Sequence, residues 1–325
     1  MNGLVTIGIP IYKRLQYLPN VLKAVQAQDY PRVELIVSDN GLNGPELREL
    51  VQAHYSRPYR MRRNPAIVNV AQHFNQIINE ASGEYTIVLA DDDEISPNYL
   101  SDLVPRLEGI AGASVALARQ EMLDANGTVL RRSKEELPDS LSGEDFILAT
   151  WGRNEFRYEC FATFLARTKD LKACGGYADF TRGTNNDNAL LVKLALGRRI
   201  AFSSNAVFRW RIDDSSLGWS VSIQDLAAGC REFMEFLDSD PMIRRYAQEH
   251  GQKWRELRAC LVEMTWQTYF WRWKQIYRKR LKPGEWARAA FAMPFARGYY
   301  RQVLSEFIHL SKSSVRAGLK GIRSN

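Results

Sequence analysis

The sequence is poor in the residues that build metal cages and covalent frameworks. Its four cysteines, Cys160, Cys174, Cys230 and Cys260, lie far apart and form no C-x-x-C pair. A zinc site or a disulfide scaffold is therefore not expected, and reduced thiols are. The four histidines, His54, His73, His250 and His309, share no close spacing, which argues against a histidine-built metal site. No window approaches the roughly 18 apolar residues of a membrane-spanning helix. The opening run Leu4-Val5-Thr6-Ile7-Gly8-Ile9 is β-like and has neither the basic nor the apolar segment of a secretory leader. Internal repeats and low-complexity tracts are lacking too. These absences lead us to expect a cytoplasmic protein that is not integral to a membrane.

What is present suits a large domain with a smaller one. The 325 residues are 45% hydrophobic and 25% charged, enough for a well-buried core. The net charge of +7 is uneven: residues 253–325 hold sixteen Lys or Arg against four Glu, a balance of +12, so the rest sums to about −5. In that basic stretch aromatics and cations interleave, as in Trp266-Gln267-Thr268-Tyr269-Phe270-Trp271-Arg272-Trp273-Lys274. Such a composition suits the headgroup region of an anionic membrane surface. It equally suits a helical bundle packed on the body with a basic outer face. Nucleic acid is not expected as a partner, because no reader motif accompanies the basic residues.

The N-terminal half alternates strand and helix. Val5 to Ile9 reads as a buried strand ending at Pro10, followed by a helix from about Leu18 to Gln28. Val33 to Asp39 reads as a second strand running into the turn-rich Asn40-Gly41-Leu42-Asn43-Gly44. A helix over Glu46 to Tyr55, a short strand over Tyr59 to Arg62 and a helix over Val70 to Ala81 follow. Tyr85 to Ala90 is a further apolar strand that runs into Asp91-Asp92-Asp93. Unbroken apolar strands between helices predict an α/β fold with a mostly parallel sheet sandwiched by helices, and ligands bind such sheets beyond the carboxyl ends of the strands. Further on we expect a hairpin at Asp124-Ala125-Asn126-Gly127 and a helix over Gly143 to Thr150. Strands over Tyr158 to Ala166 and Ile200 to Trp210 flank a helix from Asp187 to Gly197. Past about Ser220 the pattern is helical throughout, which divides the chain into residues 1–220 and a basic, aromatic-rich region 221–325.

Three consecutive aspartates at a strand end carry the sharpest chemical signal. Alternation along a strand puts Asp91 and Asp93 on one side and Asp92 on the other. Carboxylates this close repel, and a hard divalent cation such as Mg²⁺ or Mn²⁺ relieves that repulsion while phosphate oxygens complete its shell. The alternative is a solvated acidic turn that caps the next helix. Asp39, at the end of the second strand, is by itself an ordinary turn residue.

The order of these motifs resembles the inverting family 2 glycosyltransferases, which have the Rossmann-like GT-A fold. The resemblance runs through Val5-Thr6-Ile7-Gly8-Ile9-Pro10-Ile11-Tyr12-Lys13-Arg14, Gln28-Asp29-Tyr30-Pro31 and Glu34-Leu35-Ile36-Val37-Ser38-Asp39-Asn40-Gly41. It continues in Gly83-Glu84-Tyr85-Thr86-Ile87-Val88-Leu89-Ala90-Asp91-Asp92-Asp93. It is strong over residues 4–100, fair to about 220 and absent beyond. It implies that Pro10 and Tyr12 line the base and ribose pocket and that Asp39 accepts a hydrogen bond from the ring N–H of uracil or thymine. Asp91 and Asp93 match the family's D-x-D element at the nucleotide and the metal-bound diphosphate. The implied nucleotide-binding set is Pro10, Tyr12, Arg14, Asp39, Asp91 and Asp92, with Mn²⁺ or Mg²⁺ as cofactor. Two positions depart from the pattern: Lys13 stands for a usual Asn, and Asn69 for a common Gly.

The segment Gly183-Thr184-Asn185-Asn186-Asp187-Asn188, followed by Ala189-Leu190-Leu191, resembles the family's acidic dyad and its helix. The resemblance implies that Asp187 is the base that deprotonates the acceptor hydroxyl, with Asn186 in place of the first acid. A helix cap is the plainer role for Asp187. Trp210-Arg211-Ile212-Asp213 matches a site where relatives carry a metal-binding His, which implies Asp213 as a third metal ligand beside Asp93 and Asp91; a solvated turn is the alternative. The expected function is transfer of a sugar from a nucleotide diphosphate donor, a UDP-sugar ahead of a dTDP-sugar, to a glycan or lipid-linked acceptor in bacterial surface polysaccharide synthesis. The enzyme would sit peripherally at the inner face of the cell membrane. A nucleotidyltransferase is the nearest rival, but Pro10-Ile11-Tyr12-Lys13-Arg14 lacks the glycines of its phosphate loop. A non-catalytic scaffold docking through its basic tail is the other rival. It has no reason to keep Asp39, Asp91, Asp93 and Asp187 together.

Overall fold

A computed structural model describes residues 3–158, 160–213 and 221–272. The first half of the sheet is formed by the strands β1 (Val5–Ile11), β2 (Val33–Asp39) and β4 (Tyr85–Val88), which are largely buried, and by the more exposed, arginine-rich β3 (Tyr59–Arg63) at the edge. Helices α1 (Leu18–Gln26), α2 (Pro45–His54) and α3 (Val70–Glu80) connect them, and each turns an apolar stripe to the sheet. Helix α3 is capped by the Asn69 side chain, which accepts from the Gln72 N–H at 2.8 Å. These strands pair in the order β3-β2-β1-β4, all parallel.

Beyond β4 the sheet is mixed. Strands β5 (Glu94–Ile95), β6 (Ala113–Leu123), β7 (Val129–Arg132), β8 (Ser140–Ser142), β9 (Leu165–Arg167) and β10 (Arg199–Arg211) complete ten strands in one sheet. β9 pairs antiparallel with both β4 and β6, whereas β6 and β10 run parallel. The hairpin expected at Asp124–Gly127 joins β6 to β7. Helix α4 (Tyr99–Gly109) packs on β6 and β10. Helix α5 (Gly143–Ile147) runs into a π-helical turn over Leu148–Gly152, and α6 (Thr168–Ala173) precedes α7 (Asn186–Ala195).

One expected strand is much shorter than its sequence suggests. Only Leu165–Arg167 of the stretch after Tyr158 is a strand. Tyr158, Phe161 and Phe164 are all buried in one aromatic cluster with Phe146 and Phe202, so the alternation of an exposed face never arises. Side chains replace the missing ladder: the Gln120 amide brackets the Cys160 backbone, the Tyr158 hydroxyl donates to Ala118 O at 2.8 Å, and Thr163 Oγ1 donates to Val88 O at 3.2 Å.

The C-terminal region is helical as far as it is described, in α8 (Ile223–Ser239), α9 (Pro241–Glu249) and α10 (Gly251–Arg272). Phe233, Leu237, Ile243, Trp254, Leu257, Leu261 and Met264 share one core with Phe146, Leu190 and Phe202. To residue 272 this region is thus packed on the body that carries the sheet. No helix among the described residues is long and apolar enough to cross a membrane. Residues 273–325, which hold most of the basic tail, lie outside the described residues.

Glycine matters where layers meet. A Cβ on Gly8, in the middle of β1, would lie 2.0 Å from Ile77 Cγ2, so only glycine lets α3 lie against the central strand.

Candidate active site

Four strands end at the same edge, and the order β3-β2-β1-β4 reverses direction at β1. The registered pairing of β1 with β4 ends at Gly8↔Val88, while its pairing with β2 continues through Pro10↔Ser38 to Ile11↔Asp39. Beyond Gly8 the ladder between β1 and β4 is not continued, and the crevice outside the carboxyl ends of the strands at such a switch point is the place where sheets of this kind bind ligands. Pro10 stands at the split, where its missing N–H costs no ladder bond. Tyr12 follows and is 47% exposed at the rim.

The β2 side of the crevice is a rigid loop. Asp39 is buried; its carboxylate accepts from Gly41 N (3.0 Å) and from Asn43 N and Nδ2 (3.1 and 2.8 Å), with Arg63 Nε at 3.5 Å. The Asn43 amide also donates to Tyr12 O at 2.7 Å. A Cβ on Gly41 would sit 1.4 Å from that same carbonyl, so the two strand ends touch backbone to backbone. Behind them buried His73 contacts Ser38 Oγ at 2.9 Å, and burial pushes its pKa down to about 4, so it supports the loop as a neutral ring.

The aspartates do not continue the strand. β4 ends at Val88 and the chain turns at Asp91 and Asp92, so the alternation inferred from the sequence does not hold. Asp91 and Asp92 instead share one guanidinium: Arg14 Nη2 lies 2.9 Å from Asp91 Oδ1 and Nη1 lies 2.7 Å from Asp92 Oδ2. Asp93 points elsewhere and accepts the Arg211 backbone N–H at 3.1 Å. All three are at most 6% exposed. Burial pushes Asp91 up to about 6 against the pull of Arg14, raises Asp92, and drives Asp93 well above the usual carboxylate range. Among the described residues no three His, Cys, Asp or Glu side chains converge as a metal cage. The turn nonetheless has the donor chemistry of a Mg²⁺ or Mn²⁺ site completed by phosphate: hard oxygens, and more buried negative charge than its arginines offset.

Arg211, which the sequence reading left without a role, anchors this turn. Its side chain is buried; Nε donates to Asp92 O (3.2 Å), Nη1 to Asp124 O (2.9 Å) and Nη2 to Glu94 Oε1 (2.6 Å). Its guanidinium also stacks 4.7 Å from the Tyr17 ring. Tyr17 donates its hydroxyl to Asp213, so Asp213 ties the loop after β1 to the end of β10. The signal for Arg211 in the sequence was only its place in Trp210-Arg211-Ile212-Asp213.

Asp187 lies at the start of α7, in the other half of the chain. The cap of α7 is Asn185 at φ 65°, so Asp187 lies in the first turn and is not the cap. No described residue donates a hydrogen bond to its carboxyl, and burial pushes its pKa up to about 6. The half-buried Cys160 thiol lies within electrostatic reach of Asp93, Asp187 and Asp92, so it is near both the aspartate turn and α7; nothing in the sequence marked it. The segment before α7 is held from outside by α8. Glu232 accepts from Thr181 Oγ1 at 2.6 Å, and Asn185 Nδ2 lies 3.7 Å from Cys230 Sγ. Arg182 and Asn185 keep left-handed backbones (φ 57° and 65°), a strain that such bracing sustains near functional sites. The structure thus brings Pro10, Tyr12, Arg14, Asp39, Asp91, Asp92, Asp93 and Asp213 to one edge of the sheet, with Asp187 on α7 near Cys160.

A parallel half-sheet of this strand order with an acidic turn at its switch point is the architecture of the GT-A fold. The profile of the family described as Glycosyl transferase family 2 matches residues 6–175. The chain belongs to this family. It is 33% identical over 101 residues to the putative colanic acid biosynthesis glycosyl transferase WcaA of Escherichia coli, covering 31% of this chain and 36% of that protein. It spans only about a third of the length of the first such relatives. It is also 25% identical over 252 residues to the GalNAc(5)-diNAcBac-PP-undecaprenol beta-1,3-glucosyltransferase of Campylobacter jejuni, covering 72% of this chain and 74% of that one. The crystal structure of S. aureus TarS 1-349 in complex with UDP-GlcNAc has the same fold, with TM-score 0.65 and 18% identity over 90% of this chain and 82% of that one.

The Arg211 hub yields a stability prediction. Replacing it by Met leaves Glu94, the Asp92 and Asp124 carbonyls and the buried aspartates without their donor. Arg211→Met should destabilise the fold by about 3–5 kcal/mol in urea titration. A loss below about 1 kcal/mol would show that the hub is dispensable.

Proposed function

We propose that the chain is an inverting glycosyltransferase. It moves a sugar from a nucleoside diphosphate donor, a UDP-sugar ahead of a dTDP-sugar, to a hydroxyl of a glycan or lipid-linked acceptor in bacterial surface polysaccharide synthesis. The observation that carries the reading is the Asp187 carboxyl, unpaired among the described residues, raised in pKa and near the same Cys160 thiol as the aspartate turn. A carboxylate poised near neutrality takes a proton from an attacking hydroxyl as its oxygen bonds to the anomeric carbon. The bond from that carbon to the diphosphate oxygen breaks on the opposite face, and configuration inverts. The relatives' names, with an undecaprenol diphosphate in one and UDP-GlcNAc in another, support a sugar nucleotide donor and a lipid-linked acceptor.

In this reading Pro10, Tyr12 and the Asp39 loop hold the base and ribose. Arg14, now shared by Asp91 and Asp92, lies where it can turn to a diphosphate. Asp91 and Asp93, with Asp213 as a further oxygen donor, would hold Mn²⁺ or Mg²⁺. The cation would neutralise the departing diphosphate.

The raised pKa of Asp187 sets the pH dependence. Below about pH 6 the carboxyl is protonated and cannot accept; above it the group is competent. With saturating donor, kcat should climb through about pH 6, and Asp187→Asn should lower kcat by roughly 10²–10⁴-fold while nucleotide affinity holds. An effect confined to donor affinity would move Asp187 out of the base role. The cation is tested separately: EDTA should abolish turnover and Mn²⁺ restore it, and Asp93→Asn should stay folded by circular dichroism yet lose Mn²⁺ binding by calorimetry. Full turnover in EDTA would remove the metal from the scheme.

The peripheral location rests on the +12 balance of residues 253–325. Each basic residue near an anionic leaflet contributes about 1 kcal/mol, screened by salt. The protein should therefore sediment with phosphatidylglycerol vesicles at low salt, less at high salt, and hardly with neutral ones. Equal recovery on both lipids would contradict this placement.

A further inference from the structure

Asn186 is 2% exposed, and neither its amide oxygen nor its amide nitrogen has a hydrogen-bond partner among the described residues. A carboxamide carries two donors and an acceptor with two lone pairs. Burying all of them unmet costs stability that an apolar side chain of similar size would not. Its neighbours are not in that position: Asn185 Nδ2 reaches Cys230, and Asn188 Nδ2 donates to Asn185 Oδ1 at 3.1 Å. The unmet amide is thus confined to the residue beside Asp187.

Its surroundings say which side of the site it serves. Both Asn186 Nδ2 and Val70 Cβ lie 3.5 Å from the point where a Cβ on Gly183 would stand. Val70 opens α3, and α3 packs on β1, β2 and β4, the strands of the nucleotide half. The amide therefore lies on the side of the Asp187 helix that is near the start of α3.

We propose that Asn186 reads a hydroxyl of the donor's sugar ring, its amide nitrogen donating to one hydroxyl and its oxygen accepting from the same or the adjacent one. This rests on the glycosyl-transfer reading above. Sugar hydroxyls are both donors and acceptors, so one ring edge satisfies both halves of a carboxamide. A site with buried polar groups also discriminates strongly against an analogue that lacks the matching hydroxyl.

The test compares a sugar nucleotide with its bare nucleotide. Calorimetry with Mn²⁺ on a panel of UDP-, dTDP- and GDP-hexoses first identifies what the wild-type protein binds. No binding to any of them would sink the functional reading itself, before Asn186 is at issue. With the bound donor in hand, Asn186→Leu and Asn186→Ala should each weaken the sugar nucleotide by about 3–10-fold while leaving the bare nucleoside diphosphate unchanged. Asn186→Leu, which removes an unmet buried amide, should raise Tm by about 2 °C or more. Unchanged affinity for the sugar nucleotide in both variants would overturn the proposal. So would equal losses for sugar nucleotide and bare nucleotide together with a lower Tm, since the amide would then be structural.

Discussion

Three carboxylates buried within one turn create a charge problem on which the rest of the site depends. Asp91 and Asp92 share the Arg14 guanidinium, Asp93 takes a backbone N–H from Arg211, and burial still leaves all three raised above their ordinary pKa range. Hydrophobic burial gains nothing from such a cluster, so the partners that Arg14 and Arg211 supply are what keep it tolerable. The loop after β1 and the end of β10 both converge on it. Arg14 comes from the first and Arg211 from the second, and Tyr17 with Asp213 closes the contact between them.

The scaffold makes that convergence affordable. The ladder between β1 and β4 is not continued beyond Gly8, and Pro10 stands where no donor is wanted. Gly8 and Gly41 bring α3 onto the sheet and Tyr12 onto the β2 loop, at distances no side chain would tolerate. The strained segment before α7 is held by Glu232 and Cys230 of α8. The C-terminal helices therefore do more than decorate the body that carries the sheet. They share its core and brace the segment that carries Asn186 and Asp187.

Much of this was legible in the sequence. The first four strands and three helices fall within one or two residues of the expected limits, because continuous β-branched runs and amphipathic spacing are local signals. Asp91 to Asp93 stood out as three aspartates at a strand end, whereas Asp39 and Asp187 were singled out by the order of motifs that resembles the family. The Tyr158 to Ala166 strand was not, because its aromatics serve a cluster rather than a pleat. The orientation of the aspartates was also misread, since a strand that ends two residues early cancels the alternation rule.

What the sequence by itself determined is the parallel nucleotide half, the acidic turn at its edge and the family to which the chain belongs. All of these are set by short-range pattern and motif order. The tertiary structure decided which charges meet. Arg14 is 77 residues from Asp91, and Arg211 is 118 from Asp93. It also decided that Asn186 is buried without a partner while Asn185 and Asn188 are not. Pairing and desolvation across such distances depend on how the layers pack, and no local spacing in a chain encodes them.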